Sequence, residues 1–234
     1  MKIKTVFLLS LFLLAVATAS QAQDNVCESA YMPFKEGLSY ELTNYNKKGK
    51  VLSASRNKVT SLTSTGDGLK AVVETETLDK NGKSLTHGSF GMECRGGTIY
   101  LDMSSMLDPQ ATAGFSSMEA ELTGDALQIP NDLSAGQTLP DGTMEMKVST
   151  GGVKMMSIRL AITNRKVEAE ETITTPAGSF DCIKMSQETE MKILIKKKYK
   201  TVNWYAKGVG MVRSENYNSK GKLESYTELT KFEN

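Results

Sequence analysis

The sequence predicts an antiparallel all-β protein, on three observations. Alternating apolar and polar residues recur along the chain, as in 38–46, where Leu38, Tyr40 and Leu42 interleave with Ser39, Glu41 and Thr43; that two-residue period marks strands with one buried face. One turn chemistry returns three times, as KKGK at 47–50, DKNGK at 79–83 and NSKGK at 218–222, each with glycine where a positive φ costs least. No three-to-four-residue periodicity is sustained past the leader. The five prolines, Pro33, Pro109, Pro130, Pro140 and Pro176, fall between strand candidates, where they remove no central ladder donor.

Residues 1–22 read as a secretory signal peptide, with a basic start at Lys2 and Lys4, an apolar run over 6–17, and small Ser20 and Ala22 before Gln23. The run is about a dozen residues, short of the roughly 20 that cross a bilayer core, so no transmembrane span is expected. Cys27 lies close to the new N-terminus and raises lipidation. Asp24, Asn25 and Val26 occupy the positions where a lipobox needs apolar and small residues, so a soluble exported protein, periplasmic or envelope-associated, is expected.

The mature part, 23–234, reads as one domain. Its strand candidates are 38–46, 51–62, 69–78, 85–93, 97–103, 118–127, 143–149, 153–162, 166–174, 180–189, 191–198, 201–206, 210–217 and 223–232. Residues 102–117 hold the Ser, Ala and Met for at most one short helix, opened by Ser104 or Ser105, and 129–141 reads as irregular. NYNKKGKV at 44–51 and NYNSKGKL at 216–223 match closely, but no period of 20–50 residues joins them, so a repeat array is not supported.

Charge and chemistry are sparse. The chain carries 28 basic and 27 acidic residues, and loss of Lys2 and Lys4 leaves 26 against 27; that balance argues against nucleic acid as a partner. His87 is the only histidine, which removes two-histidine metal motifs, and no GxSxG is present. A Cys182–His87 nucleophilic pair would need both groups in one cleft, and their spacing does not favour it. Glu168 and Glu170 read as one solvated strand face rather than an acid and base pair. No catalytic residue, metal or cofactor is expected.

Of Cys27, Cys94 and Cys182, at most one pair can form in an oxidising compartment, and Cys182 reads as a small buried thiol in GSFDCIKM. That leaves Cys27 with Cys94, a bridge that would pin the N-terminus to the domain. The lysines of MKILIKKKYK at 191–200 suggest anionic headgroups or acidic glycans, against which stands a solvated strand edge, the favoured reading. Twelve methionines beyond Met1 fit core filling first, and an adaptable apolar cavity or Cu(I) second. Trp204 and Tyr205 point to opposite faces of one strand, so one of them should be buried. If a ligand site exists, Trp204, Tyr205, Met155 and Met191 are its candidate lining.

TTPAGSFDCIKM at 174–185, followed by WYAKGVGMVRSE at 204–215, resembles the TapB-like family of exported proteins of unknown function, and CESAYMPFKEGLSYELTNYNKKGK and GKLESYTEL extend the resemblance over nearly the whole mature chain. It implies a long antiparallel meander folded into a partly open barrel, of about 12–16 strands, similar in broad architecture to envelope carriers of lipoproteins and lipids. It supplies no catalytic residues. The function expected is therefore binding of a lipid-like or amphipathic envelope ligand in the half-open barrel; the alternative is an interaction or structural protein holding an envelope protein or glycan on its surface. A monomer is expected.

Overall fold

A computed structural model describes residues 26–101 and 119–233. The expected signal peptide at 1–22 and the short-helix candidate at 102–117 lie outside the described residues. Among the described residues every element is a strand: β1 (Ser39–Asn46), β2 (Val51–Thr65), β3 (Gly68–Asp79), β4 (Ser84–Arg95), β5 (Thr98–Leu101), β6 (Glu119–Gly124), β7 (Leu127–Pro130), β8 (Gly142–Thr150), β9 (Val153–Thr175), β10 (Gly178–Lys192), β11 (Lys196–Ala206), β12 (Gly210–Asn218) and β13 (Leu223–Glu233). They form one sheet in the order β6-β8-β9-β10-β11-β12-β13-β1-β2-β3-β4-β5-β7, with every pair antiparallel.

The sheet is not closed into a barrel. Its edges, β6 and β7, are nonetheless consecutive in sequence, separated only by Asp125 and Ala126. The run 118–127, expected as one strand, is thus divided between the two edges. The sheet curls enough that β9 approaches β12 and β13 across its concave side. The segment 129–141 is less irregular than expected, because Thr138 bridges Lys166 and the Leu139 N–H donates to the Arg165 carbonyl, lacing it to the lower part of β9.

The three matching turns share one mechanism. Asn46 Oδ1 accepts from the backbone N–H of Lys48 and Lys50 at 2.9 and 3.1 Å. Asp79 Oδ1 does the same for Asn81 and Lys83, and Asn218 Oδ1 for Lys220 and Lys222. Gly49, Gly82 and Gly221 supply the positive φ that closes each turn.

The main core lies on the concave face. Leu38, Val59, Val73, Met92, Ile99, Val167, Ile183, Met185 and Tyr205 meet there with Leu133 and Leu139 and with Cys27, Ala30, Tyr31 and Phe34 of the N-terminal segment, which plugs one end. Cys27 and Cys94 are joined by a disulfide, with their Cα atoms 5.8 Å apart, and Cys182 is a free, buried thiol.

Three expectations are corrected. Residues 153–162 and 166–174 are one strand, β9, bent by irregularities opposite Met185 and Glu188, with Asn164 at φ 54°. The expected strand at 191–198 is the end of β10, a tight turn and the start of β11. Its lysines therefore sit at a hairpin tip between interior strands, not on a sheet edge. The same bulging of β9 separates Glu168, bonded to Ser186 Oγ, from Glu170, which pairs with Ile183 of the other face.

Candidate ligand-binding faces

Register carries the concave face beyond the apolar core into two contrasting regions. Toward β8 it is apolar and rich in methionine: Met144, Leu160, Ile162 and Leu127 pack together with Met191, and Met146, Val148 and Ile158 continue the patch with Met156. Toward β10–β12 it is polar but uncharged. Met185, Gln187 and Thr189 follow Ile183 on this face, and Asn203 pairs with Met185 and Ser214 while Thr201 pairs with Gln187. Gln187, Asn203, Ser214 and Asn57 of β2 are buried. Among the described residues the side-chain amides of Gln187 and Asn203 have no hydrogen-bond partner, whereas Asn57 donates to Ser55. Neutral amides left without a protein partner keep their hydrogen-bonding capacity for water or a ligand.

Arg165 ties the bend of β9 to β7 and to the segment 129–141. It is 2% exposed, and its Nη1 and Nη2 donate to the carbonyls of Pro140 and Gln128 at 2.8 and 3.0 Å. Burial lowers its pKa, and burial raises that of neighbouring Tyr205.

The opposite face carries a cleft of about 730 Å³ across β13, β1, β2, β3 and β4. Its floor is a ladder of alternating charge. Glu41 Oε2 meets Lys231 Nζ at 3.0 Å and Arg56 Nε at 3.2 Å; Arg56 Nη1 lies 3.6 Å from Glu76, and Glu76 lies 3.8 Å from His87 Nε2. Burial alone would raise the Glu41 carboxyl, but hydrogen bonds from Lys231, Arg56 and Thr230 hold it below the usual carboxylate range. His87 also shares a hydrogen bond with Ser84 Oγ and is otherwise exposed.

A second cleft, about 870 Å³, opens at the plugged end between Tyr31, Asp132, Glu170, Asp181, Cys182 and Lys207. Burial, with Asp181 adding to it, pushes the Cys182 thiol up to about 11. A thiol held protonated is a poor nucleophile. Cys182 and His87 line different clefts, so they form no nucleophilic pair.

The four expected lining residues do not converge. Trp204 and Tyr205 are both buried, at 5% and 9% exposure, because β11 is covered on both faces. Trp204 packs with Cys182, Val202 and Ala206 on the outer face, donates its indole N–H to Glu171, lies under Lys184 and borders a small cleft of about 340 Å³. Tyr205 belongs to the concave core, Met191 to the methionine patch, and Met155 stands 61% exposed on β9. Sequence reasoning missed Gln187, Asn203 and Asn57. Their signal was a neutral polar residue continuing the inward face past the apolar core in β2, β10 and β11, which needs the register to be read.

An open antiparallel sheet, plugged at one end and bearing shallow clefts, defines the protein class as all-β; among the described residues no helix is long and apolar enough to cross a membrane, and no group of three His, Cys, Asp or Glu could hold a metal. The chain belongs to the DUF3108-like family, whose model matches residues 35–229. It is similar to a protein from Bacteroides fragilis described as exported and as having a YmcC-like fold, with a TM-score of 0.73 and 25% identity over 88% of this chain and 100% of that one. A protein from Parabacteroides distasonis described as a lipoprotein has the same fold, with a TM-score of 0.73 and 22% identity over 88% of this chain and 99% of that one. No curated protein matches.

Proposed function

We propose that this is a non-catalytic exported protein, released into the periplasm or envelope after loss of residues 1–22, that holds an amphipathic envelope ligand on its concave face as a monomer. The observation that carries this reading is the juxtaposition on one face of a methionine-rich patch and a strip of neutral polar side chains, Gln187 and Asn203, whose amides bond to no other described residue. The patch suits an acyl or other apolar moiety, and methionine adapts to irregular shapes. The amides suit an uncharged polar group such as an ester, hydroxyl or glycosyl oxygen, which would satisfy them. The architectural likeness of the TapB-like resemblance to envelope carriers points the same way by analogy. Native mass spectrometry of protein from its own exported fraction, before and after organic extraction, tests it. A small molecule that is retained and then extracted supports the reading; a clean unliganded mass in both samples overturns it.

The charged cleft favours a second reading. Its ladder from Lys231 to His87 presents alternating donors and acceptors suited to a protein or glycan surface. Loss of a captured envelope partner on replacing Arg56 and Lys231, with the concave face untouched, would favour this reading over the first.

A further inference from the structure

The meander sends its hairpin turns alternately to two ends of the sheet, and the two ends differ in chemistry. At one end lie the turns β1–β2, β3–β4, β8–β9, β10–β11 and β12–β13, as the antiparallel pairings Asn46↔Ser225, Ser53↔Asp79, Tyr199↔Asn218, Lys192↔Arg159 and Thr150↔Val153 require. Lysine crowds this rim. Lys47, Lys48 and Lys50 occupy the first turn, Lys80 and Lys83 the second, Lys220 and Lys222 the last. Lys192 and Lys196 flank the β10–β11 tip, with Lys197 beside them. The acids here are already engaged: Asp79 caps its own turn, Glu224 accepts from Asn218, and Glu190 pairs with Lys196 at 2.7 Å and Lys198 at 3.4 Å. The turns at the opposite end, TGDG at 65–68, RGGT at 95–98, TPAG at 175–178 and AKGVG at 206–210, carry mixed charge.

Exposed apolar side chains follow the same asymmetry. Leu194 is 87% exposed and Ile195 75%, in a tip whose third member, Ile193, is also exposed. Leu52, Leu85, Val153 and Met155 stand exposed beside the neighbouring turns; among the described residues only Val26 and Val72 are large exposed hydrophobics elsewhere. Beyond the Tyr199↔Asn218 pair, β11 continues for three residues to Lys196, which at about 3.3 Å per residue lifts the apolar tip roughly 10 Å past the β12–β13 junction. Solvated hairpin tips have no reason to carry Ile-Leu-Ile, and lysine alone would suffice for solubility.

We infer that this rim docks on an anionic lipid surface, with the Ile193–Leu194–Ile195 tip entering the headgroup and acyl boundary and the lysine crown meeting the lipid charge. Charge complementarity selects the occupant: one basic apolar rim, in a chain whose mature charge is near balance, matches a flat surface that is negative outside and apolar within. The inference does not depend on the concave-face ligand, and each can fail without the other.

Flotation of the mature chain, disulfide intact, with vesicles of phosphatidylcholine containing a third phosphatidylglycerol tests it, against vesicles of phosphatidylcholine alone. Strong preference for the anionic vesicles is expected, and loss of most binding when salt rises from about 0.1 to about 0.5 M. L194S/I195S should weaken partition at least tenfold. K220E/K222E should also weaken it at least tenfold, at about fivefold for each lysine in reach, while K207E at the other end should leave it unchanged. Both rim variants alter side chains outside the core, so unchanged Trp204 emission verifies their fold. No flotation of the wild type, equal binding to both vesicles, or equal weakening by K207E would overturn the inference. So would retention on heparin unaffected by L194S/I195S without vesicle binding, which points to an acidic glycan instead.

Discussion

Replacing Cys27 and Cys94 together by alanine opens the covalent tie that pins the N-terminal plug against β4. The two residues are 67 apart in sequence. In the chain-entropy account, closing a loop of that length removes about 15 cal/mol/K from the unfolded ensemble, or about 4 kcal/mol near 25 °C. Both half-cystines are fully buried in the main core beside Ala30, Tyr31 and Phe34, so native packing offers no compensating release to solvent. For a domain of this size, about 4 kcal/mol corresponds to a fall in Tm of roughly 10–15 °C. Urea unfolding followed by Trp204 emission, the chain having one tryptophan, measures the loss under oxidising conditions. Limited proteolysis of the variant should cut first between residues 26 and 37. A loss below about 1 kcal/mol, well under the entropic estimate, or a plug as protected as in the parent, would refute the view that the bridge holds the plug in place.

Other perturbations read other parts of the structure. At pH 8 Cys182 should react with a disulfide reagent at least about a hundredfold more slowly than an exposed thiol, and at the ordinary rate once urea unfolds the chain. The Glu171 carboxyl is held below the usual carboxylate range, first by the Trp204 indole N–H and then by Lys184, with burial opposing. A depressed folded-state pKa adds stability that is complete above the unfolded value and lost as pH falls below about 4.5 through the folded value. Urea midpoints at pH 7 and pH 3 should therefore differ less in Glu171→Gln than in the parent, and an undiminished difference would argue against the contact. Ile129→Ala, at a position 1% exposed in the main core, should cost about 2–5 kcal/mol in the same unfolding assay. Gly82→Ala meets open space at φ +81° and should cost only about 1–2 kcal/mol of backbone strain. Gly68→Ala should cost more than that, since its Cβ would lie 1.9 Å from the Cys94 carbonyl oxygen.

Local chemistry was legible where a few neighbouring residues decide the outcome. The Asn46, Asp79 and Asn218 turns could be read because side-chain acceptor, lysine and glycine lie within five residues of each other. Features set by pairing between distant strands could not. The ladder from Lys231 to His87 depends on register across five strands, and the neutral strip at Gln187 and Asn203 on which residues of β10 and β11 point inward. Bulges shift that parity without a composition cue, which is why β9 reads as two strands and why Glu168 and Glu170 part company. Trp204 and Tyr205 were expected to divide between core and surface, because a strand pattern cannot show that its second face is covered. The lysines at 192–198 read as an edge for the same reason: sheet order is not written in any one segment.

The concave-face claim is tested most directly by titrating delipidated, isotope-labelled mature protein with a monoacyl amphiphile bearing an uncharged polar head, while following side-chain amide resonances. Saturable shifts of the Gln187 and Asn203 amide groups, accompanied by methyl shifts at Met144, Met146 and Met191 and none at His87, are the predicted result. Shifts confined to the cleft around His87 and Arg56, or none at all at saturating amphiphile, would contradict it.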